Sequence, residues 1–257
     1  MLQGLKLQAV TDHITGARLS TYLAAAGSDV GAALELYRWN IELAGAMYEA
    51  LGVAEVFLRN AVDAQLRVWN AAQPPHTGRG ITYNHEWVKM PAAPLWGVLN
   101  PRRGGGAGNY STYRDAYQRA EKDRDARTPG HRRHGHAVDH DDVVAHLTFG
   151  TWNVLLPRKN SSTAPPGLKP RPQATLWNAA LRHAFPNHPN PAVIKFWVER
   201  LHSIRNRVAH MEPLLDIDPM SYHRTVARLL KAIDPALTDW YTANSRIPEV
   251  WRRRPSP

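Results

Sequence analysis

An arginine, an asparagine and a histidine stand close together in the stretch Arg205-Asn206-Arg207-Val208-Ala209-His210. These side chains suffice to cleave RNA without a metal. The guanidinium holds a phosphate through charge-assisted hydrogen bonds. The imidazole moves a proton, and the ribose 2′-hydroxyl supplies the nucleophile. On a regular helix each residue advances ~100°, so Asn206 and His210 share a face, whereas Arg205 and His210 diverge by ~140°. Arg205 and His210 meet at one phosphate where the helix bends or ends near His210, or where two copies meet across a two-fold axis. In such a site Arg205 neutralises charge in the pentacoordinate transition state. Asn206 orients His210 or a phosphate oxygen, and Arg207 adds a phosphate contact. The plainer reading of the same pattern is a solvated, arginine-rich helix capped by a histidine.

The element that must position these residues is an amphipathic helix starting near Pro191. Ile194, Trp197, Leu201, Ile204 and Val208 recur at spacings of three and four. Pro213 ends the helix soon after His210. Upstream, Leu34, Tyr37, Ile41, Ala44, Tyr48 and Leu51 carry the same rhythm, which resumes at Leu58, Val62 and Leu66. One or two long helices fit the span from Asp29 to Trp69, with Gly52 as the place for a break. Leu19 to Gly27 reads as a short helix closed by a glycine cap. Asp139 to Asp142 reads as an N-cap with an acidic first turn ahead of Val143–Trp152. Leu176 to Phe185 and Met220 to Ile233 complete the helices. With no alternating β pattern, the expected fold is all-α, a single domain over residues 1–257.

Two breaker-rich segments interrupt it. Residues 74–140 read as a basic, Gly/Pro/His-rich loop insertion between the N-terminal and C-terminal helical blocks. One short exposed helix fits at Tyr110 to Arg124, and Arg127 to His136 reads as a mobile basic stretch. No packed core is expected from that composition. Residues 157–172 form a second, Pro-rich loop, and Arg252-Arg253-Arg254 a frayed basic tail.

Lys plus Arg number 32 against 22 for Asp plus Glu, a formal charge of +10, with no cysteine among 257 residues. The charge favours a polyanionic partner, nucleic acid first and an acidic membrane surface second. The lack of cysteine removes disulfides, thiolate zinc sites and thiol nucleophiles. Met1 to Lys6 lack a basic region followed by an apolar run, and no apolar stretch approaches the ~20 residues that span a bilayer. A cytoplasmic chain without membrane association is expected.

Glu55 falls on the apolar seam of the first block, where a lone carboxylate is unfavourable. Arg59, four residues on, is its natural partner in a buried structural pair. Alternatively, Glu55, Arg59 and Asn60 stand beside Arg205 and His210 as supporting or phosphate-binding groups. Arg102, Arg103, Arg132 and Arg133 supply further basic contacts for RNA, and Glu212 lies next to the main segment. His131, His134, His136 and His140 have spacings that suit zinc, but their loop-like, arginine-rich setting favours an RNA-contacting loop and no metal. Most tryptophans sit on helical stripes (Trp69, Trp152, Trp177, Trp197) and read as core. Tyr110 and Tyr113, in the basic loop, are placed to stack on unpaired bases.

The segment Ile204 to Pro213 resembles the C-terminal signature of the Abi-like family, the AbiD/AbiF-type abortive-infection proteins of the HEPN superfamily. Three upstream segments resemble that family in the same order: Leu36-Tyr37-Arg38-Trp39-Asn40 leading to Glu55–Ala61, Val143 to Trp152 with its Leu-Thr-Phe-Gly-x-Trp core, and Leu176-Trp177 with Leu181–Pro186. The resemblance covers roughly residues 19 to 233. It implies a HEPN-type helical bundle and a metal-independent endoribonuclease in phage defence, often a toxin restrained by an antitoxin of protein or RNA. The family's R-N-x-x-x-H motif falls on Arg205, Asn206 and His210. Where such proteins often carry a second histidine, this chain has Met211.

The resulting expectation is a homodimeric RNase toxin. It attacks RNA through the 2′-hydroxyl to leave a 2′,3′-cyclic phosphate and a 5′-hydroxyl, with no cofactor. The alternative is a catalytically silent RNA-binding module within a defence or toxin–antitoxin complex.

Overall fold

The computed structural model describes residues 2–14, 16–101, 111–157, 171–188 and 190–256. Every regular element among them is helical, so the fold is all-α. The helices are α1 (Leu2–His13), α2 (Gly16–Ala25), α3 (Val30–Ala71), α4 (Leu95–Leu99), α5 (Thr112–Asp125), α6 (His140–Ala145), α7 (Phe149–Leu155), α8 (Pro172–Ala179), α9 (Pro191–Ala209), α10 (Pro219–Ile233), α11 (Pro235–Asn244) and α12 (Ile247–Arg252). No helix among the described residues is long and apolar enough to cross a membrane.

Helix α3 is the spine. Its 42 residues make a rod of ~63 Å, started by Asp29, whose carboxylate accepts the Ala32 amide at 2.7 Å. It runs unbroken through Gly52. A helical glycine costs about 1 kcal/mol relative to alanine, and the buried Leu51, Ala54 and Leu58 on the core face offset that. Helices α2, α7, α9, α10 and α12 all pack on this rod.

The segment after α3 contributes to the main core, contrary to the sequence expectation. Trp87, Val88, Leu95 and Leu99 are buried in it. Two polar side chains on α3 pin the segment down. Asn70, fully buried, donates to the carbonyls of Asn84 and Met90 and accepts the Ala92 amide at 2.9 Å. Asp63 accepts the Trp87 indole at 2.7 Å and contacts His140 Nε2 at 3.1 Å. Its third partner is Arg67. The apolar residues here are sparse, but they need no separate core because α3 provides one.

The stretch from Arg127 to His136 is held by charge. The Arg127 side chain, 5% exposed, bridges Asp123 and Asp142, while Arg133 bridges Asp139 and Asp142. Asp142 is itself the third residue of a capping box with Asp139. The tail is likewise docked: Arg253 pairs with Glu42 at 3.5 Å, and the Arg254 guanidinium lies 5.1 Å from the Trp39 ring. Of the Pro-rich loop, residues 158–170 lie outside the described residues.

Candidate active site

Helix α9 begins at an Asn190 cap followed by Pro191 and buries Ile194, Trp197, Val198, Leu201, Ile204 and Val208. It ends on His210. The Met211 amide bonds the Val208 carbonyl and the Glu212 amide bonds the Arg207 carbonyl, both at 3.0 Å. This is a Schellman closure, which needs a left-handed residue just past the cap. Met211 takes that place with φ +52°.

Arg205 leaves α9 toward α3. It is half-buried and forms no hydrogen bond or ion pair among the described residues. Across the helix interface it lies close enough to Glu55 to act on its carboxyl. Burial pushes the Glu55 carboxyl above the usual carboxylate range, and Arg205, then Arg59, pull it partly back. Glu55 closes no ion pair with Arg59, so the buried structural pair does not form. Arg59 donates instead to the Asn60 side chain at 3.3 Å. Glu55, Arg59 and Arg205 are therefore brought together in one charged group.

A residue that the sequence reading missed completes this group. His202 lies one turn before Arg205 on α9, stacked on Phe149 with centroids 5.8 Å apart and an interplanar angle of 14°. Gly150 lies against the same ring; a β-carbon there would stand 3.5 Å from His202 Nε2. Burial pushes the imidazole below its ordinary value, and Arg205 and Lys195 push it the same way. The i, i+3 spacing to Arg205 was the available signal. Arg18 on α2 was also missed: it donates to the His210 carbonyl at 3.4 Å, the exposed end of α9.

Asn206 and His210 are exposed, and their side chains engage no partner among the described residues. Arg207 and Glu212 are engaged in the chain reversal that follows α9. Arg207 donates to the Pro213 carbonyl at 2.6 Å and to Asp216 at 2.9 Å, and its Nε lies 3.4 Å from Glu212. Those contacts hold the chain reversal after α9. Arg133 is taken by Asp139 and Asp142, whereas Arg132 is exposed. Arg102, Arg103 and Tyr110 lie outside the described residues. Among the described residues no group of His, Asp or Glu is arranged to hold a metal ion.

The site thus combines an unengaged guanidinium with a carboxyl and an imidazole whose surroundings favour their neutral forms. A guanidinium without an ion-pair partner can hold an oxyanion, and a carboxyl and an imidazole are groups that can act as general acid or base. Comparisons with protein-family models, curated proteins and solved structures return no match to this chain.

Proposed function

We propose that this chain is a metal-independent endoribonuclease of the HEPN class, acting in the cytoplasm as an abortive-infection toxin. The observation that carries the reading is Arg205: half-buried, flanked by Glu55 and His202, and without a hydrogen-bond or ion-pair partner among the described residues. A structural arginine would close on Glu55. This one keeps its donors for an external oxyanion, the scissile phosphate of RNA. Three of the four segments that resemble the Abi-like family supply the neighbourhood: Glu55–Asn60 from α3, Phe149-Gly150 from α7, and Arg205–His210 from α9.

Arg205 binds the phosphate and neutralises the transition state. Asn206 orients a phosphate oxygen or the imidazole. His210 takes the 2′-hydroxyl proton or protonates the leaving 5′-oxygen. α9 is helical to Ala209 with His210 as its cap, so the ending comes too late to turn His210 back, and at ~100° per residue it stands ~140° round the axis from Arg205. The reading therefore includes a homodimer in which His210 of one copy serves Arg205 of the other. An antitoxin of protein or RNA would restrain it by covering this surface.

The test is RNA incubated with the purified chain in EDTA, with analysis of product ends. New 2′,3′-cyclic phosphate and 5′-hydroxyl ends, lost in Arg205→Ala, support the reading. 5′-Phosphate ends or a metal requirement overturn it. The divergence of Arg205 and His210 also favours one second reading. If the chain does not dimerise, the same basic surface serves a silent RNA-binding module, seen as salt-sensitive binding without cleavage.

A further inference from the structure

A cavity of about 450 Å³ opens between the segment after α3 and the start of α5. Its size falls within the roughly 300–1,000 Å³ of small-molecule sites. It shares no residue with the Arg205 site. Three aromatic rings, Tyr83, Trp96 and Tyr113, line it together with Lys89, Asn100 and His76.

Trp96 is the most telling of these. Helix α4 buries Leu95, Val98 and Leu99 but leaves Trp96, which lines the cavity, 50% exposed. An aromatic ring kept half in water over a concave site offers a stacking face. The polar edges are also unspent. Asn100 uses its amide nitrogen on the Trp96 carbonyl at 3.1 Å, leaving its side-chain oxygen. The hydroxyls of Tyr83 and Tyr113 engage no hydrogen-bond partner among the described residues. Lys89 is half-exposed at the rim, 3.7 Å from Glu86. An aliphatic ligand would leave these polar edges unpaired. A flat heteroaromatic ring bearing an anionic group satisfies stacking, edge hydrogen bonds and the rim cation together.

We propose that this cavity binds a nucleotide through its base, stacked on Trp96 with its phosphate toward Lys89. The Tyr113 hydroxyl, protonated at neutral pH, can donate to the base edge. The base belongs either to a free nucleotide or to an unpaired position of an RNA chain. Only the second source rests on the nuclease reading.

The experiment titrates the full chain with the four nucleoside 5′-monophosphates and with 2′-O-methyl hexanucleotides, which cannot be cleaved through the 2′-hydroxyl, by calorimetry. Saturable binding of at least one probe is expected. Trp96→Ala should weaken it about ten-fold or more, and Trp96→Phe should restore most of it, with melting temperatures of both variants near wild type. Binding that is unchanged in Trp96→Ala, or no binding of any probe at millimolar concentration, overturns the proposal. Monophosphate binding that the hexamers do not displace assigns the site to a free nucleotide. Hexamer binding alone assigns it to RNA. Nucleotide binding by a chain that fails to cleave RNA keeps this site and removes the nuclease reading. RNA cleavage by a chain that binds none of the probes does the reverse.

Discussion

Glu55 on α3 lies beside Arg205 on α9, near enough for the guanidinium to oppose the effect of burial on its carboxyl, yet no ion pair closes between them. A half-buried carboxylate and a half-buried arginine facing each other would ordinarily bond. The guanidinium is left without an ion-pair partner among the described residues, backed by a group that holds a proton more readily than a free carboxylate.

The raised Glu55 pKa carries a signed consequence. The folded state binds this proton more tightly than the unfolded state, so Glu55 detracts from stability as pH rises above the ordinary glutamate value through the folded value. Glu55→Gln should therefore melt no lower than wild type at pH 7, while RNA cleavage falls at least ten-fold. A drop in melting temperature with full cleavage would mean that Glu55 is structural only.

His202 works in the opposite direction. Its folded pKa is depressed, so the folded state binds fewer protons, and stability is lost as pH falls from the unfolded value of about 6.5. His223, also depressed by burial, acts in the same window. His202→Gln should remove part of the melting-temperature loss between neutral and mildly acidic pH. In Arg205→Ala the His202 ring, followed by NMR titration, should move up in pKa. No movement would separate the two residues and break the site apart.

Much of this region was legible in the sequence, and the reasons are local. Pro191, the apolar stripe and Pro213 bracket α9, and Asp29 starts α3, because caps and periodicity act within a few residues. The unbroken passage through Gly52 was not legible, since burial of Leu51, Ala54 and Leu58 against distant helices decides it. The charge clamp on Arg127 has one partner a helical turn back, Asp123, but needs a loop to bring up Asp142 fifteen residues on, and the docking of Arg254 on Trp39 joins residues from opposite ends of the chain. Arg205 was legible as a chemical group. Its freedom from Glu55 was not, because that depends on how α9 sits on α3.

The clamp on the 127–136 stretch can be tested directly. Asp142 joins Arg127 and Arg133. Asp142→Asn should lower the melting temperature and expose the stretch to trypsin at Arg127, Arg132 and Arg133. Equal resistance to trypsin in wild type and variant would show that charge does not hold this stretch.

Met211 occupies a left-handed position that disfavours any residue with a β-carbon. Met211→Gly should stabilise the chain by about 1 kcal/mol, or ~2–4 °C in melting temperature. Met211→Val should do the reverse. Denaturant unfolding of the three proteins reads both.

The proposed composite RNase site is tested most directly by complementation in EDTA. Arg205→Ala and His210→Ala, each alone, should fail to cleave RNA. Mixed and allowed to exchange subunits, they should recover on the order of a quarter of wild-type activity, because mixed dimers hold one intact site. Cleavage that survives His210→Ala, or that appears only with added metal, would contradict the account.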